Sequence, residues 1–232
     1  VPDITNEFFA RIIRELDASL LSRRYSLLVC NSNEDYMLEN MHIKGLAEKH
    51  VDGIIYISGQ NEIKKMNEIK NLPIVYIDRA PKNAEVLILS DNETGGYLAG
   101  RELIQKGCRR ILFLRDIRFA STVRSRKEGF VRALQEKGMA FSEELEMSCF
   151  PEYAEARVVM ERLLKEKGCF FDGIFATNDM MALACVNVLT ENQIKVPGQV
   201  KVVGFDNISL TQFTSPQITT IAQDTKELAL HA

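Results

Sequence analysis

The chain has 232 residues, of which 46% are hydrophobic and 26% charged, a balance that is typical of a globular protein with a sizeable core. The formal net charge is −3 with lysine and arginine spread along the whole length, so this segment carries no basic patch for nucleic acid or an anionic membrane. No signal peptide is visible, and no apolar run approaches the roughly 20 residues of a membrane span. Because the chain opens abruptly at Val1, we expect an upstream segment to be missing.

Hydrophobic periodicity predicts helices that alternate with strands along the chain. Turn and capping residues separate them, for example Gly107, Gly138 and Gly168 after three of the helices. The predicted helices are 6–21, 34–49, 62–70, 92–106, 125–137, 154–167, 180–191 and one that begins at 225. The predicted strands are 25–29, 53–57, 74–77, 86–89, 111–114, 171–176, 200–205 and 218–222.

This alternation predicts βαβ units and therefore a parallel sheet. Strands such as 53–57 and 200–205 are continuously apolar, as expected of a sheet that is covered on both faces. The strands are too many for one small sheet. The predicted fold class is therefore α/β with two doubly wound parallel-sheet lobes of four to six strands each, divided near 90–92.

Polar residues recur just beyond the ends of these strands, at Asn31, Ser58, Asp78, Asp91, Asn178 and Asp206. In an open parallel sheet, the crevice at the carboxyl ends of the strands is the usual place for a ligand. The pattern therefore predicts a receptor for a small molecule.

Motifs of catalysis or cofactor binding are missing from the sequence. There is no dinucleotide-binding glycine motif, Walker A loop, zinc-protease helix or serine nucleophile elbow. Thr94-Gly95-Gly96 is a weak candidate for a phosphate loop, since it lies within a helical pattern. The three histidines pair with no nucleophile, and no cluster has metal-ligand spacing. We predict a protein that is not an enzyme and has no metal or cofactor.

The five cysteines are odd in number and show no C-x-x-C spacing. Most of them lie in apolar surroundings, where a small buried thiol is the expected state. Reduced cysteines are favoured over a disulfide framework, which indicates a cytoplasmic protein.

A series of motifs runs along the chain, of which the strongest block is ATNDMMAL at 176–183. The others lie at 1–9, 30–35, 51–55, 77–79, 90–92, 126–130, 196–197, 202–207 and 215–221. In this order the motifs resemble those of the LacI/GalR family of bacterial transcription regulators. The resemblance covers essentially the whole chain.

The family's regulators carry a helix-turn-helix, a hinge helix and an effector domain of periplasmic-binding-protein-like type I architecture, with a ligand cleft between two lobes. The resemblance implies that only the effector domain is present here. The helix-turn-helix, the hinge, the first strand of a lobe and the C-terminal end are expected to be absent. The implied division is 1–91 plus 225–232 for the N-terminal lobe and 92–224 for the C-terminal lobe.

The resemblance also implies effector contacts in the C-terminal lobe. Asn178 and Asp206 match effector-binding positions, with a helix cap and a turn as the alternatives. Arg126 matches an effector-reading arginine, whose alternative is a solvated helix face, and Thr122 lies one helical turn before it. Gln223 matches an effector-contacting or crossover position.

Five further residues are weaker candidates. Phe8 resembles an aromatic that lines the effector pocket, but it also belongs to the core stripe of the first helix, and Tyr153 occupies a place where some relatives have a second aromatic. Ser58, Asp78 and Arg79 end strands of the N-terminal lobe, and Arg79 could bind ligand or tie the lobes together.

The predicted function is the effector-sensing domain of a LacI-type regulator, expected to be a repressor. Its partners would be a small effector (a sugar, a sugar phosphate or a purine), operator DNA through a domain missing here, and a second copy in a homodimer. Sugar is the favoured effector. The alternative is a periplasmic sugar-binding protein of a transport system.

Overall fold

The computed structural model describes residues 1–57, 72–79, 81, 84–118 and 120–232. Clustering of contacts divides the chain into two compact units. Unit 1 comprises Val1–Ser90, Ala120–Thr122 and Asp224–Ala232, and unit 2 comprises Asp91–Phe119 and Val123–Gln223. None of the helices in the described part of the chain combines the length and the hydropathy that a membrane-spanning segment requires.

In the described part of unit 1, three strands form a parallel sheet in the order β1-β2-β3. In register, Ile54 of β1 lies opposite Ile74 of β2, and Tyr76 of β2 lies opposite Leu87 of β3. Its elements are α1 (Glu7–Ser22), α2 (Tyr36–Glu48), β1 (Ile54–Tyr56), β2 (Ile74–Ile77), β3 (Leu87–Ile88) and α8 (Thr225–His231). The core between α1, α8 and the sheet consists of Phe8, Phe9, Ile12, Leu16, Ile57, Ile77, Leu228 and Ala229.

Unit 2 is built on a parallel sheet of five strands in the order β5-β4-β6-β7-β8. Its strands are β4 (Ile111–Asp116), β5 (Glu146–Cys149), β6 (Gly173–Ala176), β7 (Lys201–Asp206) and β8 (Thr219–Ala222). Its helices are α3 (Asn92–Gln105), α4 (Ser121–Gln135, whose first two residues belong to unit 1), α5 (Tyr153–Lys167), α6 (Asp179–Glu191) and α7 (Leu210–Phe213), with a 3₁₀ turn at Glu143–Leu145.

Both faces of the unit 2 sheet are covered. One hydrophobic cluster includes residues of α5 and α6, and the other includes residues of α3 and α4. Phe113, Phe130 and Phe175 stack or tilt against one another with ring centroids 5.4–5.5 Å apart. The predicted α/β class with two doubly wound lobes is confirmed, and continuous apolar strands are a consequence of this two-sided burial.

One predicted strand of unit 1 is wrong. Residues 25–29 form no strand, because no described residue pairs with them in a ladder. The segment is held at its start by a hydrogen bond from the Tyr25 N–H to the Leu20 carbonyl and in its middle by packing of Leu27 against the core. Beyond its end, the Val1 amine donates to the Cys30 carbonyl and the Ser32 N–H donates to the Val1 carbonyl. The sheet of the described part of unit 1 is therefore smaller than the predicted four to six strands.

An apolar cavity lies where a neighbouring strand would pair. It has a volume of about 70 Å³, is partly open to solvent, and lies between Leu27–Val29 and the β1 region Ile54–Ile57. Among the described residues, β1 pairs only with β2, so the β1 edge toward the cavity is unpaired. Burial also lowers the pKa of the Val1 amine, which lines the same cavity.

Three further differences concern elements with weak patterns. Helix α4 begins at Ser121, one turn before the predicted start, and β5 and α7 were not predicted at all. β5 is an edge strand with the sequence EMSC, so it lacks the apolar run that identifies a central strand. The predicted helix 62–70 and Ser58 lie outside the described residues.

Candidate ligand-binding site

Two helices of unit 2 cross in backbone contact, and this crossing positions the candidate site. A Cβ atom on Gly96 of α3 would lie 1.9 Å from the carbonyl oxygen of Arg126 on α4. A Cβ atom on Gly129 of α4 would lie 1.8 Å from the carbonyl oxygen of Glu93 on α3. Only glycine permits this approach, because any side chain would collide with main-chain atoms. Gly96 thus serves the helix crossing, which brings Asn92 to Arg126, whereas Gly95 faces Phe205 of the sheet.

Arg126 is buried within unit 2, at 6% exposure. Its Nε donates to Asn92 Oδ1 at 2.8 Å, and its Nη1 donates to the Thr177 carbonyl at 2.5 Å. The guanidinium carbon lies 3.6 Å from the centre of the Phe205 ring, a cation–π contact. The alternative of a solvated helix face is therefore wrong for Arg126.

Asp206, at the carboxyl end of β7, faces Arg126. Its Oδ1 lies 3.8 Å from Arg126 Nη2, an ion-pair distance that exceeds a hydrogen bond. The Asp206 backbone has φ +110°, which a residue with a side chain rarely adopts, and Asn207 follows at φ +53°. Such conformations are associated with ligand sites, since they point side chains in directions that a regular strand does not allow.

Gln223 completes the group of polar side chains. Its Nε2 donates to Asp206 Oδ1 at 2.7 Å, whereas no described residue donates a hydrogen bond to its Oε1. Gln223 is only 8% exposed, so this amide oxygen is a buried acceptor without a donor. An unsatisfied buried acceptor costs about 1–3 kcal/mol, which a ligand that brings a donor would recover.

Asn178 occupies the end of β6 but is engaged by the backbone. Its Oδ1 accepts from the Met181 N–H at 2.8 Å as the N-cap of α6, and its Nδ2 donates to the Pro151 carbonyl at 2.9 Å. Tyr153 begins α5, and its hydroxyl accepts from Asn187 Nδ2 at 2.8 Å. The structure thus shows the cap role of Asn178, while ligand contact by either residue stays a prediction.

Two of the candidates in unit 1 are buried in helices. Phe8 is 3% exposed, packs against Phe9 with ring centroids 5.2 Å apart, and belongs to the α1 core. Thr122 is buried in the first turn of α4. For both residues the contact with ligand stays a prediction.

Asp78 and Arg79 follow β2 and form a buried charged pair. Arg79 Nη2 lies 3.2 Å from Glu34 Oε1, and its Nε lies 3.8 Å from Asp78 Oδ2. Within the described residues, Arg79 Nε and Nη1 and Asp78 Oδ1 have no hydrogen-bond partner. Asp78 has φ +69°, so this strand end resembles that of β7 in its strained backbone and unsatisfied polar atoms.

Sequence reasoning missed three residues that shape the site of unit 2, namely Asn92, Asp179 and Thr220. Asn92 holds Arg126, while Asp179 and Thr220 hold the turn after β7. The paired glycines of a helix next to Asn92 were the available signal, since they indicate a close helix crossing. Asp179 follows Asn178 beyond the end of β6, so it carried the strand-end signal, but an acidic residue after an N-cap is also ordinary at a helix start.

Comparisons with known proteins agree with this architecture. Residues 101–232 match the periplasmic binding protein-like domain family. The HTH-type transcriptional repressor PurR of Histophilus somni is 31% identical over 229 residues, which cover 97% of this chain and 68% of that protein. The ribose operon repressor of Halalkalibacterium halodurans is 29% identical over 228 residues, which cover 98% of this chain and 67% of that protein.

Among solved structures, the transcription regulator CcpA of Lactococcus lactis superposes with a TM-score of 0.89. It is 24% identical, and the match covers 99% of this chain and 84% of that chain. At that identity the likeness supports the fold alone.

The fold and the strand-end polar groups define a ligand-binding domain of the periplasmic-binding-protein-like class. The chain belongs to this family and, within it, to the effector-binding domains of LacI-family transcription regulators. Its relatives are transcriptional repressors, so the alternative of a transport protein is not favoured. The chain spans about two thirds of the length of these repressors.

Proposed function

We propose that unit 2 binds an uncharged, hydroxyl-rich effector, a sugar, at Arg126, Asp206 and Gln223. The observation that carries the proposal is the Gln223 Oε1 atom, a buried acceptor that lacks a donor beside a carboxylate and a guanidinium. A ligand can supply that donor, since no described residue does.

The donor and acceptor types favour a sugar over the other candidate effectors. Asp206 and Gln223 Oε1 accept hydrogen bonds, whereas Arg126 donates them. A hydroxyl group does both, so neighbouring sugar hydroxyls satisfy all three side chains. A phosphate at neutral pH has oxygens that accept and would be repelled by Asp206, which argues against a sugar phosphate as the group bound here. A purine offers ring N–H donors and is the competing outcome of the test.

The relatives support the same choice of chemistry and the regulatory role. One of them is a ribose operon repressor, and the reported relatives are transcriptional repressors rather than enzymes. We propose that the domain binds its effector without converting it and works in the cytoplasm. Effector binding would change operator affinity by its differential affinity for two conformations, with couplings of about 1–3 kcal/mol being typical.

Operator binding would come from a helix-turn-helix outside these 232 residues. The match covers about two thirds of the length of these repressors, one of which is named an HTH-type repressor. A homodimer is the expected assembly, because palindromic operators are read by paired DNA-binding domains. The proposed lobe boundaries are those of the sequence prediction, 1–91 plus 225–232 and 92–224.

The test is a thermal-shift screen followed by calorimetry of the purified domain with D-ribose, D-galactose, cellobiose, ribose 5-phosphate and hypoxanthine. A ligand at 100 times its Kd stabilises the folded state by about 2.7 kcal/mol, which raises the melting temperature by several degrees. We expect a neutral sugar to give this shift. Shifts with hypoxanthine alone, or with ribose 5-phosphate alone, would contradict the sugar proposal.

Gln223→Met keeps the side-chain volume but removes both polar atoms, so we expect the sugar Kd to rise roughly 10- to 100-fold. Gln217→Met is the matched control, since Gln217 is exposed and donates only to the Gln212 carbonyl. Arg79→Lys in unit 1 tests the other strand-end group in the same assay. An unchanged Kd for Gln223→Met would refute the assigned site.

A further inference from the structure

The Asp179 carboxylate connects three elements of unit 2 around the turn that carries Asp206. Asp179 is the first residue of α6, and its Oδ2 accepts from the Ile208 N–H at 2.8 Å, just beyond β7. Its Oδ1 accepts from the Thr220 hydroxyl of β8 at 2.5 Å. The Thr220 oxygen in turn accepts from the Asn207 N–H at 3.2 Å. Both backbone N–H groups that follow Asp206 are thus held through Asp179.

The backbone of β7 leaves room for this carboxylate only at a glycine. A Cβ atom on Gly204 would lie 2.2 Å from Asp179 Oδ1 and 3.1 Å from the Ala182 side chain. The turn that Asp179 holds is strained, with positive φ at both Asp206 and Asn207. A strained turn persists only where its surroundings fix it, and here the fixing group is an ionisable one.

The surroundings of Asp179 favour its neutral form. At 1% exposure, desolvation raises its pKa to about 6, against the opposing effects of the hydrogen bonds and of the Arg126 charge. Arg126 of α4 is the charged group that acts on Asp179, Asp206 ends the adjacent strand β7, and β8 contributes the uncharged Thr220. The chain's three histidines (His42, His50 and His231) are all in unit 1.

We propose that Asp179 is a positioning residue for the effector site: its carboxylate holds the 206–208 turn, and with it the Asp206 side chain, in the conformation that binds the effector. Effector affinity then follows the ionisation of Asp179. This inference rests on the proposed function, because Asp206 is the ligand-contacting group that it positions.

The first experiment needs no ligand. Nuclear magnetic resonance follows the Ile208 backbone amide and the Gln223 side-chain amide of the intact domain as the pH is lowered from about 8 to about 5. Protonation of the carboxylate weakens the hydrogen bond from Ile208, so its amide proton should shift upfield with a midpoint near pH 6. Because Gln223 donates to Asp206, its amide should shift with the same midpoint. An Ile208 amide that does not titrate in this range overturns the inference.

Asp179→Asn should abolish both titrations and move the Gln223 amide signal at every pH. Gly204→Ala, which displaces the carboxylate, should have the same effect. Asp172→Asn is the matched control, because Asp172 also fixes a turn through backbone N–H groups, those of Arg109 and Arg110, but at the opposite end of the sheet's strands. If Asp179→Asn leaves the Gln223 amide resonance unchanged, Asp179 supports the turn alone and the proposed positioning of Asp206 is refuted.

The second experiment measures D-ribose affinity by calorimetry across the same pH range. We expect the Kd to rise roughly tenfold per pH unit below the midpoint in the wild type and to stay flat in Asp179→Asn. Failure of D-ribose to bind at any pH overturns the choice of ribose as effector, and the resonance experiment still decides the role of Asp179. Binding with a flat pH profile in the wild type overturns the inference while leaving the proposed function intact.

Discussion

At the residue scale, the sequence indicated which strand ends carry polar groups but not which of them meet. Arg126, Asp206 and Gln223 were named through resemblance, and they lie together in unit 2. Asn92 and Asp179 could not be predicted as their supports, because their roles depend on a helix crossing and on a turn with positive φ. Local pattern carries no information about either, since both arise from tertiary packing.

Asp179 should also set the pH dependence of stability. Its ordinary pKa of 3.8 applies to the unfolded chain, whereas the folded value is about 6. Below pH 3.8 the carboxyl is protonated in both states and imposes no penalty. As the pH rises from about 4 to 6, only the unfolded state releases its proton, so the free energy of unfolding falls by up to about 3 kcal/mol and stays lower above pH 6.

Asp179→Asn should remove that dependence. Chemical denaturation at about pH 5 and pH 8 should show a smaller difference between the two conditions in the variant than in the wild type. At pH 8 the variant should equal or exceed the wild type in stability, although it loses one hydrogen bond to the turn. A wild-type domain that becomes more stable from pH 4 to pH 6, by a step that Asp179→Asn abolishes, would contradict the assignment.

At the element scale, helix and strand types were largely predictable, because hydrophobic periodicity extends over most of the length of these elements. The exceptions lack a signal of their own. β5 is a short edge strand of mixed polarity, and residues 25–29 have strand composition without a described partner. A strand needs a neighbour to satisfy its backbone, so composition alone did not decide that segment.

The α3–α4 crossing predicts opposite effects for glycines that resemble one another in sequence. Gly96→Ala and Gly129→Ala would place a methyl group within 2 Å of a carbonyl oxygen, so each should lower the free energy of unfolding by roughly 3 kcal/mol or more. A Cβ atom on Gly45 of α2 would have no neighbour within 4 Å, so Gly45→Ala should raise the free energy of unfolding by about 0.5–1 kcal/mol.

Denaturant titrations of the three glycine variants decide between these expectations. The same variants test the site, since Gly96→Ala should also separate Asn92 from Arg126 and weaken sugar binding. Equal effects of all three substitutions would mean that helix propensity, rather than the crossing, determines the role of these glycines.

At the scale of the whole molecule, the α/β class followed from strand–helix alternation, and the number of units from a strand count that one sheet could not hold. The strand order could not be derived from pattern, because β4 lies between β5 and β6 and the chain must return across the sheet to place it there. In unit 2 both faces carry helices. In unit 1 the described sheet ends at β1, beside the apolar cavity.

That open edge has a consequence for how these 232 residues behave in solution. Among the described residues, the β1 edge beside the cavity has no partner strand and lies near exposed Leu28 and Val29, so an extended segment of another molecule can add there. Light scattering should show concentration-dependent association of the isolated domain, reduced by Leu28→Lys but not by Leu98→Lys, a similarly exposed leucine of unit 2. If both substitutions changed the scattering equally, the surface that associates would lie elsewhere. The expected result would mean that the solubility of the domain depends on whether a strand covers this edge.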